Sequence, residues 1–237
     1  MNKKDKMYIA SCSFGKDSIA TILLALENKE PLDRVVFAEV MFDYKSGISG
    51  EIPEHIEWVY KIAIPKLESM GVKVDVVRAE KDYVSLCKTI LQKGKNKGKM
   101  YGLQNSFPCY ANSSLKIYPI EKYYKNLSKE YDIVQYVGIA IDEPKRLMRL
   151  EGTNKVSLLA KYGYTEKMAM DLCRDYNLVS PLYSMGYRGG GVGFVIMQTS
   201  KGLFTCVQTI PNIGENLEIY TMKLILIFLN MAFPLLK

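Results

Sequence analysis

A short apolar run over residues 7–11 is followed by a polar turn and then by apolar residues at helical spacing, Ile19, Ile22, Leu23 and Leu26. That pattern predicts strand, loop, helix. A second β-branched and aromatic run covers 35–42. Residues 53–70 predict a long amphipathic helix with Ile56, Val59, Tyr60 and Ala63 on one side and Gly71 as its stop. Further on, 72–77 predicts a strand, 81–91 a helix, 113–127 a helix despite Pro119, 133–139 a buried strand, and 165–176 a helix with Thr165 as its N-cap. Strands separated by helices of this length imply right-handed crossovers and a parallel sheet covered on both faces. The expected fold class is therefore α/β, a doubly wound, mainly parallel sheet in a Rossmann-like α/β/α sandwich. Residues 93–99, with Lys at alternate positions and Gly94 and Gly98 between them, read as an exposed loop, with a phosphate-binding arm as the alternative.

Composition narrows the function classes. A chain of 237 residues with 48% hydrophobic and 24% charged positions buries a real core, which excludes disorder and collagen. Lys and Arg total 32 against 25 acids, a formal charge of +7, which favours polyanionic ligands, nucleotides or nucleic acid, over a merely solvated basic surface only if a site supports them. The 5 cysteines, Cys12, Cys87, Cys109, Cys173 and Cys206, are irregularly spaced with no CxxC, which argues against a disulfide framework and suits a reducing, cytoplasmic setting. The charged start lacks signal-peptide architecture, and no apolar run reaches spanning length, so no membrane association is expected.

Between the first strand and the first helix stands Ser13-Phe14-Gly15-Lys16-Asp17-Ser18. Open α/β sheets bind ligands at this position, the carboxyl end of a strand. Gly15 lets the backbone approach a ligand, the helix start presents free N–H groups, Ser13 and Ser18 add hydroxyls, and Lys16 adds a point charge. Together they describe an anion site sized for phosphate or pyrophosphate. The spacing is neither GxxxxGK[ST] nor GxGxxG.

The hexamer resembles the PP-loop, SxGKDS, of the adenine nucleotide alpha-hydrolase superfamily, which includes ATP pyrophosphatases, tRNA-thiolation enzymes and phosphoadenosine phosphosulfate (PAPS) reductases. Three further segments are similar to PAPS reductases. Phe42-Asp43 followed by Gly50-Glu51-Ile52-Pro53-Glu54-His55 looks like their Asp, Gly and Pro-Glu-Thr segment, with His55 in place of Thr. Residues 136–146 look like their Gly-Ile-Arg-x-x-Glu-Ser-x-x-Arg strand end, with Ala140 in place of the first Arg, and Ser180-Pro181-Leu182-Tyr183 matches their Pro-Leu-Tyr element. The resemblance covers residues 7–188 and implies a HUP-type domain that binds ATP or a PAPS-like nucleotide. It implies Lys16 and Asp17 as catalytic residues, and nucleotide contacts from Ser13, Phe14, Gly15, Lys16, Asp17, Ser18, Asp43, Gly138, Glu143 and Arg146. Asp17 or Asp43 would meet Mg²⁺, and Asp43 is equally a turn former. Glu143 and Arg146 either pair with each other or reach the ligand. His55, the only histidine, reads as a surface group or a general base. Cys12 reads as packing. Cys109, after Pro108, is the candidate metal-binding or reactive thiol. A nucleic acid is a conceivable acceptor, though no motif that reads one is present.

The match stops at Arg188-Gly189-Gly190, where relatives continue into a CxxC able to hold zinc or an iron-sulfur cluster. Only 5 of the 57 charged residues lie from Gly190 onward. Codons can be chosen for residues 191–198 and 204–214 that spell the family's continuation in an offset frame. The expectation is a domain over 1–188 and an atypical tail over 189–237 produced by a frameshift. The competing reading is a genuine C-terminal helix docked on the sheet or a weak membrane-surface anchor.

Overall fold

The computed structural model describes residues 4–101 and 110–186. Elements follow in the order β1 (Lys6–Ser11), α1 (Lys16–Glu27), β2 (Arg34–Ala38), β3 (Met41–Asp43), β4 (Ile48–Ser49), α2 (Pro53–Trp58), α3 (Ile64–Ser69), β5 (Val74–Val77) and α4 (Tyr83–Cys87). After these come α5 (Tyr110–Asn112), α6 (Tyr118–Leu127), β6 (Asp132–Tyr136), α7 (Pro144–Leu147), β7 (Lys155–Val156), α8 (Leu158–Lys161), α9 (Glu166–Asp175) and a 3₁₀ turn, Pro181–Tyr183. Five parallel strands form one sheet in the order β5-β2-β1-β6-β7. The chain builds outward from β1 through β2 to β5, then returns to the other side of β1 as β6. This reversal falls at the carboxyl ends of β1 and β6, the place where open α/β sheets bind ligands.

Alternation along the central strands explains the layers. In β1 and β2, Ala10, Val35 and Phe37 face a core shared with Ile19, Ile22 and Leu23 of α1 and with Leu158, Leu172 and Cys173 of α8 and α9. Met7, Ile9 and Val36 face the opposite side, against Tyr124 of α6 and Ile133 of β6. Both faces are apolar, so these strands read as continuous hydrophobic runs. The expected α/β fold is the one observed.

Three boundaries differ from the sequence reading. The strand expected over 35–42 ends at Ala38 and resumes as β3, which pairs antiparallel with β4 in a separate two-stranded sheet. The break falls at buried Glu39, whose carboxylate takes two bonds from the Arg78 guanidinium, at 2.8 and 2.6 Å, and one from the Tyr60 hydroxyl at 2.6 Å. The helix expected over 81–91 is capped by Asp82, which accepts from the Ser85 N–H at 2.6 Å, and stops at Cys87 because Thr89 and Ile90 enter a hairpin with Tyr101 and Met100. The strand expected over 133–139 ends at Tyr136; the Val137 N–H still donates to the Val156 carbonyl at 3.0 Å, and Gly138 then passes over the start of α1.

The long helix expected over 53–70 forms as α2, a π turn Val59–Ala63, and α3. Pro65 lies two residues beyond that π turn. The same arrangement recurs where a π turn, Ser113–Ile117, precedes Pro119. A proline has no N–H to give and its ring crowds the carbonyl four residues back; a wider turn before it relieves both problems. Val59, Ala63 and Leu67 stay fully buried along one stripe through the first of these turns.

Candidate functional site

The 13–18 loop leaves the end of β1 and turns into α1 through Phe14, whose φ of +57° is in the left-handed region. A bulky residue takes that conformation only when its surroundings hold it. Here the ring is fully buried, edge-on to Phe37 at 5.1 Å and to Trp58 at 6.5 Å, and its N–H donates to Cys12 Sγ at 3.2 Å. Phe14 is thus the peg that seats the loop in the core, its ring closed off from solvent. The Ser18 hydroxyl closes the turn, accepting from the Ser13 N–H at 3.3 Å and donating to the Gly15 carbonyl at 2.9 Å.

Gly15 is the N-cap of α1 and supplies no side-chain cap. Its φ of −80° and ψ of 160° suit any residue, and a Cβ there would meet only Ser13 Oγ and Tyr183 Oη, each at an ordinary 3.5 Å. Gly138 is the opposite case. A Cβ on it would lie 2.6 Å from the Asp17 carbonyl carbon and 2.7 Å from the Ser18 nitrogen. Gly138 therefore lets the strand end after β6 lie against the first turn of α1.

Lys16 is 8% exposed, and its ammonium donates to both Asp17 carboxylate oxygens, at 2.7 and 2.9 Å, and to Glu166 Oε2 at 2.9 Å. Burial works against its charge, but these two carboxylates prevail and hold its pKa above the ordinary lysine value. Asp17 is raised, first by burial and then by Glu166 and Glu143, with Lys16 opposing. The Glu166 N–H in turn points at the Asp142 carboxylate, 3.2 Å away. Glu143 accepts from the Ala140 N–H at 3.1 Å and pairs with Arg146 at 2.5 Å, the ion pair that their spacing allowed. Asp17 and Glu166 thus hold Lys16, Glu143 holds Arg146, and Asp142 holds the N–H of Glu166.

Beneath the loop lies His55. It is 1% exposed, which corrects the surface reading; no nearby residue in sequence signals this, because its partners are remote. The Ser13 carbonyl, 3.3 Å from Nε2, can only accept, so Nε2 carries the proton and Nδ1 accepts from the Ser180 hydroxyl at 2.8 Å. Burial pushes the His55 pKa down to about 4, which keeps the ring neutral and rules out an imidazolium anion contact near neutral pH. Three residues past Ser180, the Tyr183 hydroxyl accepts from the Lys16 N–H at 2.8 Å. The Ser180–Tyr183 segment therefore braces the loop from two sides. Tyr183, Ser180, Glu166 and Asp142 are site residues that the sequence reading did not single out by role.

Asp43 is occupied by its own turn, accepting from the Lys45 N–H at 3.0 Å and the Ser46 hydroxyl at 2.7 Å. Cys109 and the tail from residue 187 lie outside the described residues.

No family model matches the chain, and no curated protein matches it. Among solved structures it is similar to the U34-tRNA thiolase NcsA from Methanococcus maripaludis with its [4Fe-4S] cluster. The TM-score is 0.42 at 15% identity, over 92% of this chain and 68% of that one.

Two further observations bear on chemistry. Among the described residues, no group of three or more His, Cys, Asp or Glu is placed to hold a metal ion. The three described cysteines, Cys12, Cys87 and Cys173, are buried, and burial pushes their thiols up, Cys12 to about 11 and Cys173 to about 12. None is a ready thiolate. No helix among the described residues is long and apolar enough to cross a membrane.

Proposed function

We propose that the chain binds an adenine nucleotide, ATP or a PAPS-like sulfonucleotide, with its phosphates on the 13–18 loop, and that it promotes attack of an acceptor on the α-phosphorus of ATP. The observation that carries this reading is Gly15. Neither backbone conformation nor crowding requires glycine there, Gly15 itself supplies no cap, and of the first-turn N–H groups only that of Lys16 is taken by a side chain, Tyr183. A missing side chain in front of a helix N-terminus whose Asp17 and Ser18 N–H groups follow the one held by Tyr183 leaves room and donors for an anion. The buried ammonium of Lys16 adds the charge.

The carboxylates constrain what binds. Asp17, Asp142, Glu143 and Glu166 outnumber Lys16 and Arg146, so a bare triphosphate meets net negative charge. A magnesium nucleotide lessens that conflict, and in this reading Asp17 would turn from Lys16 to meet the ion, since Mg²⁺ is commonly held by one or two carboxylates together with phosphates. In this reading Lys16 and the first-turn N–H groups of α1 hold the departing pyrophosphate. Ser13 and Ser18 fix its orientation, and Arg146 exchanges its bond to Glu143 for a phosphate oxygen. Adenine lies over the neighbouring strand ends, and a ribose contact from Asp43 would compete with the turn that its carboxylate closes. Bound ATP supplies an electrophilic α-phosphorus, and the acceptor is adenylated as pyrophosphate leaves. Adenylation is preferred to sulfonucleotide reduction because reduction needs a nucleophilic thiol and the described thiols are buried and protonated.

Nucleotide binding without turnover is the second reading, favoured by the neutralisation of Lys16 by Asp17 and Glu166. Calorimetric titration with Mg·ATP and a pyrophosphate-release assay on the wild type, Gly15→Ala and Lys16→Ala decide between them. The expected result is that both variants bind about 10- to 100-fold more weakly, the range for losing one or two charge-assisted contacts, while Gly15→Ala keeps the wild-type urea midpoint and Lys16→Ala, which strands the Asp17 carboxylate, lowers it. Wild-type affinity in both variants would sink the proposal. Binding without pyrophosphate release selects the second reading.

A further inference from the structure

The formal charge of the chain is concentrated in one segment. Residues 83–120 contain Lys88, Lys93, Lys95, Lys97, Lys99 and Lys116 and no Asp or Glu. Setting these six aside leaves 26 of the 32 cations against 25 acids, so the rest of the chain is nearly neutral. Four of the six stand at alternate positions in Lys93-Gly94-Lys95-Asn96-Lys97-Gly98-Lys99, all exposed.

This segment is a hydrogen-bonded hairpin. Its arms are joined by the bridge between Ile90 and Met100 and by bonds from the Tyr101 N–H to the Thr89 carbonyl at 2.7 Å and from the Leu91 N–H to the Lys99 carbonyl at 2.9 Å. Its tip is closed by two turns, Lys97 N–H to Gly94 carbonyl at 3.1 Å and Lys99 N–H to Asn96 carbonyl at 3.0 Å. Gly94 and Gly98 both take φ of +82°, the left-handed region that these turns need. The backbone that carries the lysines is therefore already ordered, which lowers the cost of binding. The hairpin follows the carboxyl end of β5 through α4, and in a parallel sheet this is the same edge from which the 13–18 loop leaves β1.

We infer that this hairpin is a nucleic-acid docking element whose four tip lysines hold the phosphate backbone of a strand brought to the carboxyl edge of the sheet. Lysines separated by Gly and Asn offer point charges and no base-reading or stacking group, so recognition is of the backbone and independent of sequence. An anionic membrane is the poorer partner, because only Gly and Asn stand among the four lysines and the exposed apolar side chains of the hairpin are two, Ile90 and Met100, at the bridge behind the tip. That the strand is the acceptor for adenylation rests on the nucleotide reading above; the docking itself does not.

The test is fluorescence anisotropy of the full chain with a single-stranded RNA and a duplex DNA of about 20 nucleotides or base pairs, between about 50 and 200 mM salt. The variant replaces Lys93, Lys95, Lys97 and Lys99 by Gln. A charge-matched control replaces Lys6, Lys73, Lys125 and Lys129, which are exposed and lie at or near the opposite edge. The hairpin variant is expected to bind at least about tenfold more weakly, with the slope of log affinity against log salt flattened by about 3, from about 0.7 to 0.9 per phosphate contact. The control keeps the wild-type affinity and slope. Lys95→Glu with Lys97→Glu repeats the test at the tip alone. Equal losses in the hairpin variant and the control, or no nucleic-acid binding by the wild type, would overturn the inference. So would hairpin-dependent binding to phosphatidylcholine vesicles containing phosphatidylserine without binding to either nucleic acid. Mg·ATP affinity is measured on the same variant and stays at the wild-type value, so failure of docking and failure of the nucleotide reading are told apart.

Discussion

His55 is neutral because it is buried, and the loop and the segment that cover it are held by contacts between residues that the sequence separates widely. Ser180, which donates to Nδ1, is 125 positions away, and Tyr183 is 167 positions from the Lys16 N–H that it accepts. A lone histidine at a helix start carries no signal of either, which is why its local context suggests the surface. The lowered pKa makes a stability prediction. Because the unfolded chain takes up a proton near pH 6.5 and the folded ring resists it until about pH 4, stability falls as pH drops through that interval. The loss between pH 7 and pH 5 is about 2 kcal/mol for this group alone, an order-of-magnitude figure from the size of the shift. Urea denaturation at the two pH values measures it, and His55→Gln should flatten the dependence. Buried Glu51, whose pKa is raised by burial, acts in the opposite sense in both proteins and cancels in the comparison. Equal slopes for wild type and variant would mean that another group governs the acid limb.

At the scale of elements, the two glycines of the site have different physical roles. Gly138 is required by packing, since the first turn of α1 occupies the space of its Cβ, and the atoms in the way are backbone. Gly138→Ala should therefore cost about 1–3 kcal/mol in urea denaturation, the range for overpacking. It should weaken nucleotide binding as well, because the turn it displaces holds Lys16. Gly15→Ala is expected to leave stability alone and affect only the ligand. If Gly138→Ala proves neutral in stability, the strand end after β6 is not pressed against α1 as described. The helices make a related point about legibility. The apolar stripe Val59, Ala63 and Leu67 was readable as one long helix, but the π turns before Pro65 and Pro119 were not. Periodicity reports which side faces the core; it does not report how a proline's missing N–H is absorbed.

For the molecule as a whole, charge and stability are carried by different parts. The hairpin lysines are exposed, whereas the core faces of β1, β2 and α1 are sealed. Replacing the four tip lysines should lower the formal charge from +7 to +3 and shift unfolding free energy by no more than about 0.5 kcal/mol, checked by the urea midpoint. A larger shift would show that the hairpin is part of the folding unit. Read from the chain alone, the alternation of apolar runs with helical stripes was enough for the α/β class, and the Ser13 to Ser18 hexamer was enough to locate a candidate anion site. Both are local patterns: hydrophobic period and turn chemistry act within a few residues of their cause. Only the tertiary structure decided that Lys16 is held by Glu166, that Tyr183 and His55 brace the loop, and that Phe14 is its anchor. It also decided that the lysine hairpin and the loop share one sheet edge. Those relations depend on strand order and on contacts between distant segments, which compaction creates and no neighbouring residue encodes.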